Sequence, residues 1–248
     1  MESEYSLQVL GSGDAFGSGG KNQTSFYVKT PEINLLIDCG PCTLSSLKSN
    51  QLSTNDIDVI VLSHFHGDHF SGVPFILLDA ALIEKRKKKL KIISPMDGEW
   101  KIKQLFNLLF PGSEKIFDDL DIDFVYYDKY ETIKDEKFSI TAFPAIHSEQ
   151  VFPHSLKICI GEKIVGYSGD TSWTEDLIEV AKNADLFICE CNFYSGEFEG
   201  HMNYKLLENK QNLFKCNRLL LTHLGNEMLS RMQEINMEVC EDHKIYNF

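Results

Sequence analysis

Residues 58–72 read DVIVLSHFHGDHFSG. An apolar run ends there in His64, His66, Asp68 and His69, four ionisable side chains within six positions. A single histidine after a strand is most often a hydrogen-bonded part of the fold. Four such groups crowded together repel and desolvate one another unless they share a partner that offsets the cost. Imidazole and carboxylate in combination are ligands for zinc, iron or manganese. In an extended segment alternate side chains share a face, so His64 and His66 reach one ion together. Past Gly67, where the chain turns freely, Asp68 and His69 face a second position.

The elements that must hold these groups follow one pattern, used twice. NLLIDCG (34–40) reads as a buried strand, 43–50 as a helix and DVIVLSH (58–64) as the next strand. In the second half KIVGYSGD (163–170) is a strand, SWTEDLIEVAKNA a helix and DLFICE (185–190) a strand. Units of this kind imply parallel pairing with right-handed crossovers. RLLLTH (218–223), SLQVLGSG (6–13), TSFYVKT (24–30) and KFSITAFPAIH (137–147) are further candidate strands. Mixed sheets flanked by helices are therefore expected. Ligand sites of such sheets gather at the carboxyl ends of the strands. Asp38, His64, Asp170, Glu190 and His223 all fall at such ends, and His147 closes KFSITAFPAIH. With His64, His66 and His147 on one ion, Asp68, His69 and His223 on the other, and Asp170 shared, two shells fill. Each keeps a position open for water, as catalytic sites do.

Composition narrows the class. The chain has 248 residues, 43% of them hydrophobic and 25% charged, with no Pro/Gly/Ser linker, and 1–248 reads as one domain. No apolar run approaches the roughly 18 residues of a membrane span. The opening MESEYSLQVLGSG carries no basic-then-apolar leader. Seven cysteines, mostly in apolar strand contexts, suit reduced thiols in a cytoplasm. A net charge of −13 argues against a large nucleic-acid footprint. The one basic run, EKRKKKLK (84–91), reads as a solvated helix end, with a phosphate-facing patch as the other reading.

The stretch HFHGDH, followed by His147, Asp170 within YSGDT and His223, resembles the metallo-β-lactamase fold. The resemblance spans Leu7 to about Leu224. It implies an α/β architecture, an αββα four-layer sandwich of two mixed β-sheets flanked by helices, with two divalent metal ions at one edge. Zinc is the expected metal, and manganese or iron suits the same ligands. LGSGDAFGSGGKNQTSF (10–26), including Asn22, is similar to the amino-terminal signature of the tRNase Z-like branch of ribonucleases and phosphodiesterases. That branch also has a glutamate and a histidine where Glu190 and His201 stand. By that resemblance the pair protonates the leaving oxygen, Glu190 orienting His201. Asp68, besides ligating, would handle the proton of the attacking water.

Chemistry explains the use of such a pair. Two ions lower the pKa of a bound water toward neutrality and stabilise an attacked phosphoryl group. A phosphodiester still expels an alkoxide, a poor leaving group unless protonated, and a placed general acid contributes ~10²–10⁴-fold. The expected activity is therefore hydrolysis of small phosphodiesters, cyclic nucleotides or short RNA ends. Thioester or lactone hydrolysis of the glyoxalase II or lactonase type is the alternative, since those enzymes share HxHxDH and the turn at Gly169–Thr171. A non-catalytic module is the third reading, disfavoured because such relatives usually lose ligands. Full-length tRNA is not the expected substrate. The tRNA-gripping arm of tRNase Z enzymes lies between the third histidine and the bridging aspartate, and residues 148–169 leave no room for one. Related enzymes are often dimers, so a homodimer is compatible with the resemblance.

Some features invite less. CGPC (39–42) copies a redox motif but lacks the tryptophan before it, and reads as a strand-to-helix turn. Cys189 and Cys191 alternate away from Glu190 toward a core. His154 reads as structural, with a place at the substrate mouth as the other possibility, and His243 as exposed. Phe193 and Tyr194 read as core or rim packing, with base stacking the minor reading.

Overall fold

The computed structural model describes residues 4–248. In the first half β1 (Ser6–Gly11), β2 (Ser25–Lys29) and β3 (Asn34–Ile37) form an antiparallel meander. After α1 (Thr43–Ser49) the chain returns as β4 (Val59–Val61), parallel to β3. It continues through α2 (Gly67–Phe70), α3 (Val73–Leu82), β5 (Leu90–Pro95), α4 (Gly98–Leu109), α5 (Ile116–Asp119) and β6 (Ile122–Tyr127). In the second half β7 (Thr132–Lys134), β8 (Phe138–Pro144), β9 (His154–Ile160) and β10 (Lys163–Tyr167) pair antiparallel in turn. Then α6 (Asp176–Ala181), β11 (Leu186–Glu190), α7 (Tyr204–Lys210) and β12 (Leu219–Thr222) make two parallel crossovers. The chain closes with α8 (Asn226–Leu229) and β13 (Ile245–Asn247). Among the described residues one sheet has the order β13-β1-β2-β3-β4-β5-β6, the other β12-β11-β10-β9-β8-β7.

Alternation along the strands decides the layers. Leu35 and Ile37 of β3, Val59 and Val61 of β4, and Leu186 and Ile188 of β11 point into the space between the two sheets. Their neighbours Leu36 and Ile60 face outward under α1, α3 and α4. Phe187 and Cys189 face outward under α6 and α7. Both faces of each central strand are therefore apolar, as buried strands with crossover helices require. Each such side chain, fully buried, stabilises the fold by about 1.5–3 kcal/mol. The expected mixed sheets flanked by helices are present, and both strand–helix–strand units pair in parallel. No helix among the described residues is long and apolar enough to cross a membrane.

Three expectations need correction. The run 84–91 is not a helix end, because α3 stops at Leu82. Arg86 is buried, its guanidinium donating to the carbonyls of Thr54, Asn55, Lys88 and Lys89 at 2.7–3.2 Å. Lys88 and Lys91 pair with Asp58 and Asp135. The second-half helix is shorter than SWTEDLIEVAKNA, since the chain turns extended at Lys182 and Asn183 takes φ 59°. β3, β4, β8 and β10 also stop sooner than read, and turns carry the polar residues beyond them, whereas β11 ends at Glu190 as read.

Candidate metal centre and active site

His64, His147 and Asp170 stand three residues past β4, β8 and β10, and His223 directly follows β12. His66 begins, and Asp68 and His69 lie within, the single turn of α2. Extended chain and then one helical turn thus present HFHGDH to two positions. Donor atoms of His64, His66, His147 and Asp170 lie within 4.8 Å of one another, and so do those of Asp68, His69, Asp170 and His223. Asp170 belongs to both groups. Its Oδ2 is 3.3 Å from Nε2 of His69 and 3.3 Å from Nε2 of His223. Asp68 Oδ2 lies 3.2 Å from Nε2 of His223.

The far side of each ring fixes which nitrogen faces inward. His69 Nδ1 is 2.7 Å from Asp38 Oδ2, His147 Nδ1 2.8 Å from the Gly200 carbonyl, and His64 Nδ1 3.0 Å from Ser63 Oγ. A proton on each Nδ1 leaves Nε2 as a lone pair aimed at the centre, the arrangement metal-ligating histidines use. Gly200 takes φ +95°, and a Cβ there would come 2.6 Å from the His147 ring, so only glycine fits.

The donor set fits a divalent cation. Nε2 of His64, Nε2 of His69 and Oδ1 of Asp170 are buried without a hydrogen-bond partner, a costly state unless something else satisfies them. Burial opposes charge on Asp170, yet His223 and His69 hold its carboxyl well below the usual range. Burial likewise opposes a proton on His223, but Asp170 and Asp68 outweigh it and push the ring up to about 9. Burial and the neighbouring His69 push His64 well down, so it stands neutral. The carboxylates thus draw positive charge into the cluster, and a bound cation replaces those protons.

Beside the cluster, Glu190 ends β11 facing the space between the sheets and is buried. Its Oε1 accepts from the Thr171 amide at 2.7 Å and lies 3.0 Å from His201 Nδ1; Oε2 accepts from the Met202 amide at 3.2 Å. His201 and His223 stack with centroids 5.4 Å apart. A cavity of about 670 Å³ opens over the site, with His66, Asp68, Asp170, His201 and His223 in its wall. Residues 84–91 do not line it. His154 is buried against Tyr127 and does not line it either. His243 is exposed.

The sequence places Asp38 at the carboxyl end of a strand and assigns it no role. Its backbone sits at φ 53°, and its buried carboxylate accepts from Ser63 N, Ser63 Oγ and Tyr167 OH, each at 2.7 Å, besides His69. Its place at the end of NLLID was visible, and its partners were not. CGPC is structural, as read. Cys39 is buried with its thiol pushed well up by burial, and Cys42 donates to Gln23 Oε1 at 3.1 Å.

Fold and site define a metal-dependent hydrolase of the metallo-β-lactamase fold. A family model described as anti-Pycsar protein Apyc1 matches residues 5–246, and the chain belongs to that family. It is 28% identical over 224 residues to the probable metallo-hydrolase YhfI of Bacillus subtilis, covering 88% of this chain and 86% of that one. It is 31% identical over 237 residues to a ribonuclease Z of Saccharolobus islandicus, covering 79% and 81%. Among solved structures, YhfI superposes with a TM-score of 0.76 at 24% identity over 99% of both chains.

Proposed function

We propose that the protein hydrolyses small phosphodiesters, cyclic nucleotides or short RNA ends. The observation that carries this reading is the 3.0 Å contact of buried Glu190 with His201, which stands in the wall of the same cavity as His66, Asp68, Asp170 and His223. His64, His66 and His147 would hold one divalent cation, Asp68, His69 and His223 a second, and Asp170 both; zinc suits this nitrogen and oxygen set best. When bound, two such cations acidify a water and stabilise charge on a phosphoryl group.

The chain's own residues manage the protons. His201 gives its Nδ1 to Glu190, leaving Nε2 for the leaving oxygen. As the new bond from water oxygen to phosphorus forms and the bond from phosphorus to the leaving oxygen breaks, His201 gives its Nε2 proton to that oxygen, which departs as the alcohol. Asp68, in the wall of the same cavity, would take the proton the water gives up. The products are a phosphomonoester and an alcohol. No lysine or arginine stands among the groups lining the cavity, which supports a small substrate over a long polyanion. Residues 148–169 form a short turn and the β9–β10 hairpin, with no protruding arm for tRNA. Seven free thiols support a reducing compartment such as the cytoplasm.

His201→Ala tests the assignment. Turnover of a diester with an alkoxide leaving group should fall ~10²–10⁴-fold, and one that expels p-nitrophenolate should lose far less. Equal turnover by variant and parent on the alkoxide diester sinks the reading. A protein with two metals that cleaves thioesters and no diester shifts it to the glyoxalase II or lactonase type.

A further inference from the structure

Across β13, β1 and β2 the outward-facing residues pair in two rows, Asn247–Ser6–Lys29 and Ile245–Gln8–Tyr27. Their inward neighbours Leu7, Val28 and Tyr246 fill the space between the sheets. Partners within a row stand about 4.5–5.5 Å apart and the rows about 7 Å apart. Glu4, Pro31 and Leu52 complete the lining of a hollow of about 630 Å³ over these six side chains. Its volume falls in the range of small-molecule sites, about 300–1,000 Å³. Among the described residues none lines both this hollow and the cavity over the metal cluster.

A solvated sheet face accounts for outward Ser6, Gln8, Lys29 and Asn247. It does not account for Tyr27. That residue is 3% exposed and lines the hollow, yet its hydroxyl has no hydrogen-bond partner among the described residues. A buried tyrosine ordinarily finds one. Burial, with the charges of Asp56 and Asp58 nearby, keeps the proton on the ring oxygen, so the group is a donor. Lys29, two positions along on the same face, is exposed and makes no ion pair or side-chain hydrogen bond among the described residues. Two unanswered donors therefore stand side by side, with Pro31, Leu52 and Ile245 as apolar surface around them.

We propose that this hollow binds a small monocarboxylate, its carboxylate held by Lys29 and the Tyr27 hydroxyl and its apolar body laid against Pro31, Leu52 and Ile245. A carboxylate offers two acceptor oxygens on one centre, which matches two neighbouring donors, one of them charged. The side chains of Ser6, Gln8 and Asn247 also lack partners among the described residues and can take a further polar group on the ligand. Glu4 in the wall, and Asp56 and Asp58 near Tyr27, oppose a doubly charged anion such as a phosphate monoester. One net negative charge is what Lys29 matches.

The test titrates the zinc-loaded protein with benzoate, hexanoate and isovalerate, read by NMR at the methyl groups of Leu52 and Ile245. At least one of the three should shift both residues saturably, and its neutral amide should bind roughly tenfold weaker or worse. Lys29→Gln and Tyr27→Phe should each weaken that binding roughly 10- to 100-fold, the span of one hydrogen bond to a charged group. Lys29 is exposed and Tyr27→Phe removes a single oxygen, so both variants should keep the parent's Tm within a few degrees. Zinc itself takes carboxylates, so an affinity that neither variant weakens puts the ligand on the metal cluster and overturns the site. The absence of a saturable shift with all three carboxylates overturns it too. Inorganic phosphate that moves the same methyl groups at lower concentration than any carboxylate overturns the ligand class.

Discussion

Asp38 Oδ2 lies 2.7 Å from His69 Nδ1, and the same carboxylate takes hydrogens from Ser63 and from Tyr167 across the sheet interface. Every partner donates, so the site wants an acceptor at both oxygens. Asp38→Asn keeps the shape and turns an NH₂ toward donors. Metal affinity should fall roughly 10–100-fold, the usual cost of losing a carboxylate behind a ligating histidine. Zinc competition against a chromogenic chelator reads it, and an unchanged affinity would show that Asp38 does not orient His69.

The acid partner should set one limb of the pH profile. Burial works against a proton on His201, but the Glu190 hydrogen bond and charge outweigh it and hold the ring above its ordinary value. Burial also raises the Glu190 carboxyl, so the pair keeps a proton between them. A group with a raised pKa keeps its proton below that value and loses it as pH rises through it. Turnover should therefore decline on the alkaline side, and Glu190→Gln should move that decline to lower pH. A kcat/KM profile from pH 5 to 10 measures both limbs, and an unmoved alkaline limb argues that another group supplies the proton.

Removing metal should soften the whole protein. A cation present at about 100 times its Kd stabilises by about 2.7 kcal/mol. For a chain of this size that corresponds to a Tm lower by roughly 5–10 °C after chelation. Scanning calorimetry before and after chelation, then with zinc or manganese restored, checks the size and the reversibility.

Gly72 packs where no side chain fits. A Cβ there would sit 2.1 Å from the Gly40 carbonyl, and one on Gly40 would sit 2.5 Å from the Asp68 carbonyl. The glycines let the DCG turn and α2 touch backbone to backbone. Gly72→Ala should cost about 1–3 kcal/mol, as overpacking does, and lower metal content with it. Urea unfolding and elemental analysis on one preparation separate the two effects.

What the sequence made legible follows from what leaves a pattern. The histidines and Asp170 were visible because the ends of apolar runs are marked in the chain and imidazole clusters have few other uses. The role of Asp38 was not, because a carboxylate that bonds to protein has no characteristic spacing. Residues 71–135 show no repeating strand–helix pattern in the sequence, yet they hold α3, β5, α4, α5, β6 and β7. VPFILLDAAL is nearly all apolar, so α3 shows no helical stripe to read. The strand ends were overrun because turns after β4, β8 and β10 keep an apolar or small composition.

The two sheets contribute unequally and indispensably to the centre: His64, His66, Asp68 and His69 ride on one, His147, Asp170 and His223 on the other. The spacing between the donor groups is thus a gauge of how the sheets are seated. A displacement of about 1 Å at a reacting centre can cost about 10²-fold in rate. A repacking substitution deep between the sheets, far from any of these side chains, is registered by the enzyme's rate well before it is registered as unfolding.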